Sequence, residues 1–287
     1  MMSNTTKGII ALLISSLGFS LMAFFVKYSG DLPTVQKTFF RNFISMAIAF
    51  IFVIYYKEKL FGHKENQGLL LLRSALGLGG VLLNFYVIDR MVLSDAEILN
   101  KMSPFFTILL CALFLKEYIR RYQMISIIIA LTGAVFIIKP SMSSDTVYAL
   151  LGLLGALMAA GAYTVLRVLG SREKFYTVVF YFSAFSTVAL LPFFIYQYEP
   201  MTFEQWIMLI LAGIFAAFGQ FGLTIAYSFA PAREISIFFY STIIFTALLS
   251  IFILGEVPDI LSVIGYFIIF GASYYMYMKN RKPKENL

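Results

Sequence analysis

Ten apolar runs occupy almost the whole chain, at about 8–28, 35–56, 68–88, 94–115, 121–139, 147–169, 175–196, 203–229, 234–254 and 259–278. Only short polar or Pro/Gly breaks separate them. Each run is roughly 20 residues, the length that crosses the hydrocarbon core of a bilayer as an α-helix. Backbone in hydrocarbon must bond to itself, so such runs read as helices, and the strand-like alternation of a membrane barrel is absent. Composition agrees: 60% hydrophobic and 13% charged residues would leave a soluble domain with large exposed apolar patches. The expected fold class is an all-α integral membrane protein with ten transmembrane helices.

The net charge of +7 does not mark a nucleic-acid binder, because the Lys and Arg residues sit in short runs between apolar stretches and form no basic face. Their distribution orients the chain instead. If the N-terminus is cytoplasmic, the inner segments hold Lys7, then Lys57, Lys59 and Lys64, then Lys116, Arg120 and Arg121, then Arg172 and Lys174, then Arg233, and finally the basic end of the chain. The outer loops hold few, among them Lys27, Arg90 and Lys139. This bias predicts a multi-pass protein of the cytoplasmic (inner) membrane with both termini cytoplasmic. The first run is long enough to span, lacks a small-x-small cleavage site, and is expected to stay rather than leave as a signal peptide. A single cysteine, Cys111, excludes a disulfide framework within the chain, and a single histidine, His63, reads as a solvated loop residue.

An ungapped comparison of 94–117 with 233–256 pairs Ile98 with Ile237, Phe106 with Phe245 and Thr107 with Thr246. It also pairs Leu109, Leu110, Leu115 and Glu117 with Leu248, Leu249, Leu254 and Glu256. Apolar matches between membrane helices carry little weight, but a shared terminal carboxylate carries more. These are the fourth and ninth runs, so the repeat unit is five helices. An odd number makes the two halves enter the membrane in opposite directions, the inverted repeat of secondary transporters. The expected division is a first repeat over 1–140, a second, inverted repeat over 146–279, and a basic cytoplasmic tail over 280–287.

The chain resembles the ten-helix, EamA-type branch of the drug/metabolite transporter superfamily. The residues that carry the resemblance are the first-helix pattern from Gly8 to Ser20, Leu93-Ser-Asp-Ala leading to Ser103-Pro104, and the terminal Leu115-Lys-Glu117. In the second half they are Pro231-Ala-Arg-Glu leading to Leu254-Gly-Glu256. Ile243 stands where the first half has Pro104, a departure that argues against a proline hinge there. The resemblance implies a carrier without bound cofactor, and no metal ligands are expected. It further implies that helices one to four and six to nine surround a central cavity, while five and ten lie at the side.

Charge at membrane depth is costly, so each buried ionisable residue invites a functional reading. Glu97 and Lys101 are four apart and share a helix face, with Asn100 beside them. Pro104 follows within a turn and cannot donate to the carbonyl of Asn100. Arg41 on helix two is placed to attract an anion or to snorkel to the interface. Asn84 and Tyr86, Tyr163, Gln220 and Tyr227, and Tyr240 offer hydrogen bonds and ring faces, with interhelical packing as the plainer role. Tyr240 matches Lys101 in the repeat alignment. Arg73 and Arg167, near cytoplasmic helix ends, read as orientation signals only. Gly77, Gly79 and Gly80 lie inside an apolar run without a preceding strand, so they read as close helix contacts rather than a phosphate loop, as do Gly18, Gly152, Gly155 and Gly161. Glu117 and Glu256 read as caps for the helices that follow them.

The expected function is secondary transport of a small organic metabolite, an amino acid, nucleotide-like or related compound with anionic or zwitterionic character. Its partners are then that substrate, the bilayer and, as an option, a coupling proton, with a monomer or homodimer as the working unit and no nucleic acid. An intramembrane enzyme needs paired acids, a His cluster or a nucleophile with its base, and the spans hold none. A channel-like or scaffold protein is the alternative; it lacks the long polar helix faces or soluble loops those roles use.

Overall fold

The computed structural model describes residues 4–139, 144–169, 172–229 and 236–281. Helices follow the apolar runs closely: α1 (Asn4–Tyr28), α2 (Thr34–Tyr55), α3 (Gln67–Ile88), α4 (Leu93–Asn100), α5 (Ser103–Leu115) and α6 (Arg121–Ile138) in the first half. In the second half come α7 (Ser144–Leu169), α8 (Phe175–Tyr196), α9 (Phe203–Phe229), α10 (Ser241–Leu249) and α11 (Ile260–Arg281). Among the described residues nine stretches are long and apolar enough to cross a bilayer, and a shorter one covers Phe238–Leu254. The tail beyond Arg281 lies outside the described residues.

Two runs expected as single helices are broken. The fourth divides into α4 and α5 at Lys101 and Met102, whose N–H groups bond back to Glu97 and Leu99 before the chain restarts with Pro104 in the first turn. Proline supplies no N–H and disfavours helical backbone just before itself, so the turn falls where the sequence allows it. The ninth run, expected as one helix over 234–254, is a 3₁₀ turn (Ser236–Tyr240), then α10, then a π segment (Ser250–Leu254). No proline is needed there. The Ser241 and Thr242 hydroxyls donate to the carbonyls of Phe238 and Phe239 at 2.6 and 2.8 Å, serving groups that the tight turn leaves out of the helical ladder.

The two halves show their duplication in bonding as well as sequence. Lys116 and Gly255, equivalent in the repeat, both adopt left-handed backbone, with φ of 55° and 68°. The next residues close the same wide turn: Glu117 N–H bonds to Cys111 O and Glu256 N–H to Ser250 O, again equivalent positions. The heaviest helix pairings are α1 with α9, α3 with α7, α2 with α8, and α6 with α11. Exchanging each span with its counterpart five places on maps this set onto itself, as a pseudo-two-fold axis requires. The fold is therefore two inverted five-helix repeats.

Glycines set the closest approaches. A Cβ on Gly18 would sit 2.9 Å from the backbone nitrogen of Gly219, joining α1 to α9. The equivalent seam, α3 against α7, brings Gly80 against the Gly155 carbonyl, at 3.2 Å from such a Cβ. Gly133 and Gly265 make the same contact between α6 and α11. Without a hydrophobic drive between helices in lipid, such backbone proximity is the main source of packing energy. It also keeps α6 and α11 paired with each other at the side.

Candidate functional site

Two helix breaks, one in each half and joined by a hydrogen bond, organise the site. Lys101, the last residue before the α4–α5 turn, has its carbonyl exposed by the break, and the Tyr240 hydroxyl donates to it at 3.2 Å. Its ammonium rests 4.0 Å from the ring centroid of Phe239 and 4.0 Å from Glu97 Oε2. Glu97 Oε1 in turn accepts from Asn84 Nδ2 at 3.3 Å. A cation, a carboxylate and an amide thus form one buried cluster around an irregular stretch of backbone, where non-helical chain in a membrane is tolerated because it lines a cavity.

That cavity is about 90 Å³. Its wall draws Phe19 and Met22 from α1, Arg41 from α2, Asn84 from α3, Tyr163 from α7 and Gln220 from α9. Phe182 of α8 and Phe239 complete the second half's share, beside Glu97, Asn100 and Lys101 of the first. Every span except α6 and α11 contributes, the arrangement the resemblance implied. Of the residues singled out from sequence, Arg41, Asn84, Glu97, Asn100, Lys101, Tyr163 and Gln220 line this space. Tyr240 lies behind it, buried and bonded to the Lys101 carbonyl. Tyr86 lies elsewhere, its ring 3.6 Å from the Arg90 guanidinium and stacked edgewise near Tyr148. The Tyr227 side chain falls outside the described residues.

One residue was misread. Arg73 does not mark a cytoplasmic boundary: it is 6% exposed, lines the cavity, and places its guanidinium 4.1 Å from the Phe182 ring centroid. Arg41, 2% exposed, lies 5.6 Å from the same ring. Gly77 permits this, since a Cβ there would stand 3.0 Å from Phe182 and 3.5 Å from Arg73 Nη1. Six residues inside α3, Arg73 lies about 9 Å from the helix start, deeper than its place near the end of an apolar run suggested. Arg167 does sit at the surface, paired with Glu117 at 2.9 Å.

Other expectations also move. Glu256 does not cap the helix that follows it; its carboxylate accepts from the backbone N–H of Leu93, at the start of α4, at 3.0 Å, and pairs with Lys27 at 2.5 Å. A carboxylate there meets the positive end of α4. His63 is half exposed, but its ring and its N–H both engage Glu173, which also accepts from Asn66 at 2.7 Å. Burial works to raise the Glu173 carboxyl, but the bonds from Asn66 and His63 outweigh it and hold its pKa below the ordinary value. Cys111 is buried, with Sγ 3.9 Å from Thr164 Oγ1.

The profile of the EamA-like transporter family matches residues 6–139 and 146–278, once in each half. The chain belongs to that family. As an EamA-like transporter it is a multi-pass membrane protein that moves small molecules. It is 36% identical over 269 residues to the pseudopaline exporter CntI of Pseudomonas aeruginosa, a match covering 93% of this chain and 94% of that protein. It is 26% identical to human solute carrier family 35 member G1, over 88% of this chain and 73% of that protein. A solved crystal structure at 14% identity superposes with a TM-score of 0.71, covering 96% of this chain and 98% of its own; at that identity it speaks for the fold alone.

Proposed function

We propose that this EamA-like transporter carries a small anionic or zwitterionic metabolite, an amino acid, nucleotide-like or related compound, across the cytoplasmic membrane by alternating access. The observation that carries the reading is the cavity walled by eight spans, with Arg41, Lys101, Asn100, Asn84, Tyr163 and Gln220 directed to a single space. At about 90 Å³ it holds a handful of waters, whereas small-molecule sites are about 300 Å³ or more. A cargo of metabolite size therefore needs a wider conformation of this site than the one described. In this reading the repeats 1–140 and 146–279 rock against each other about the two helix breaks, both termini face the cytoplasm, and Tyr240 braces the Lys101 carbonyl from the opposite half. The exporter name of a relative that aligns end to end supports outward transport.

The test is uptake of labelled amino acids, nucleotides and small organic acids into proteoliposomes, comparing the parent with Lys101→Ala. Saturable transport that falls at least tenfold in the variant supports the site. Unchanged saturable transport removes Lys101 from it, and no transport of any compound across either imposed gradient removes the carrier reading.

A further inference from the structure

The charges around the cavity do not balance. Lys101 has Glu97 nearby, but Arg41 and Arg73 have no carboxylate partner among the described residues. Arg41 bonds only sideways, from Nη1 to Asn42 Oδ1 at 2.6 Å, and its Nε has no partner. Arg73 leaves both Nε and Nη1 without one. A guanidinium at membrane depth is disfavoured on every insertion scale, and an unbonded buried donor adds to that cost. Other cations at the helix ends do have carboxylate partners: Lys37 with Asp89 at 2.6 Å, Lys27 with Glu256, Arg167 with Glu117. At the cavity two cations lie together on the single ring of Phe182.

We infer that the cargo brings two negative charges to this place, one for each of Arg41 and Arg73, with Phe182 as the platform between them. The inference rests on the transport reading of the cavity and narrows its substrate to a dianion. Two carboxylates on one small molecule, or one doubly charged phosphate group, meet the requirement. Guanidinium is suited to either, because its planar fork donates two parallel bonds to carboxylate or phosphate oxygens. A lone monocarboxylate leaves one arginine unpaired and gains correspondingly less.

Thermal unfolding of the purified full-length protein in chloride-free buffer, with glutarate, butyrate and phosphate as probes, separates the outcomes. Glutarate or phosphate is expected to act at concentrations at least tenfold lower than butyrate, and which of the two acts tells carboxylates from phosphate. Arg41→Gln and Arg73→Gln should each bring the dianion down to the butyrate level. Without any anion, both variants should melt at or above the parent temperature, because each removes an uncompensated buried charge. Variants that melt lower without anion, no stabilisation by any probe, or equal action of glutarate and butyrate overturn the dianion inference. If saturable transport of any compound is seen in that case, the carrier reading stands; if no compound moves across either imposed gradient, both fall.

Discussion

The same clasp closes the two faces of the molecule and is built differently on each. On the face where α1 ends, Lys27 meets Glu256 at 2.5 Å with their side chains only 14% and 26% exposed. On the opposite face the repeat-related carboxylate, Glu117, pairs with Arg167 at 2.9 Å, with side chains 41% and 60% exposed. The first carboxylate gathers further bonds from Leu93 N–H and Ser250 Oγ, and Lys27 reaches the Met91 carbonyl as well. The glycine seams differ in the same sense, α1 against α9 being tighter than α3 against α7. The equivalent carboxylates thus occupy unequal environments, so this conformation is not symmetric: the ion pair is the more shielded of the two where α1 ends. In the proposed transport cycle, exchanging these two environments between the repeats would open one face while closing the other.

The largest way to break the comparison is Glu256→Gln. It leaves Lys27 without its partner in a shielded place and should lower stability by about 3 kcal/mol, measured as thermal unfolding in detergent. It should also raise thiol labelling of Ser29→Cys on a Cys111→Ser background, because the face beside it loosens; unchanged labelling would show that the clasp does not close that face. Overpacking the seams comes next. Gly18→Ala should be disfavoured by about 2 kcal/mol, since the new methyl meets backbone that cannot step aside, and Gly80→Ala by about 1 kcal/mol. Equal melting temperatures for these two variants would erase the asymmetry between the seams. Glu117→Gln removes the exposed member of the clasp pair and should change stability by less than about 1 kcal/mol; a loss matching that of Glu256→Gln would mean the exposed pair is shielded in the membrane.

The smallest effect is one of pH. The Glu173 carboxyl is held below its ordinary pKa by bonds from Asn66 and His63. Its contribution to stability is therefore complete above the unfolded-state carboxylate pKa and is lost as pH falls through the depressed folded-state value. Melting temperature followed from neutral to strongly acid pH should show a step that Glu173→Gln removes. A variant that keeps the whole acid slope places it on other groups.

Much of this was readable in the chain itself. Ten apolar runs, eight of them unbroken helices with ends to within a few residues, the five-plus-five repeat and the cavity-facing cluster of Glu97, Asn100 and Lys101 follow from the sequence pattern. Apolar length decides spans, an odd repeat decides inversion, and i,i+4 spacing decides a shared face. Arg73, Phe182 and Phe239 were not readable in this way. An arginine near the end of an apolar run has the same sequence signature whether it snorkels to lipid headgroups or turns inward. Phenylalanine in a membrane helix is unremarkable until a neighbour lays a cation on it.

What the sequence determined alone is therefore whatever hydrocarbon imposes on one segment at a time: helix and length. Which side of each helix faces another, which glycines touch, and which charges lose their partners depend on residues hundreds of positions apart in order, and only the folded arrangement decides them. Glu256 illustrates the division. Its place after a left-handed stop is written in Leu254-Gly-Glu256, but its partners, Lys27 and the start of α4, come from the other half of the molecule.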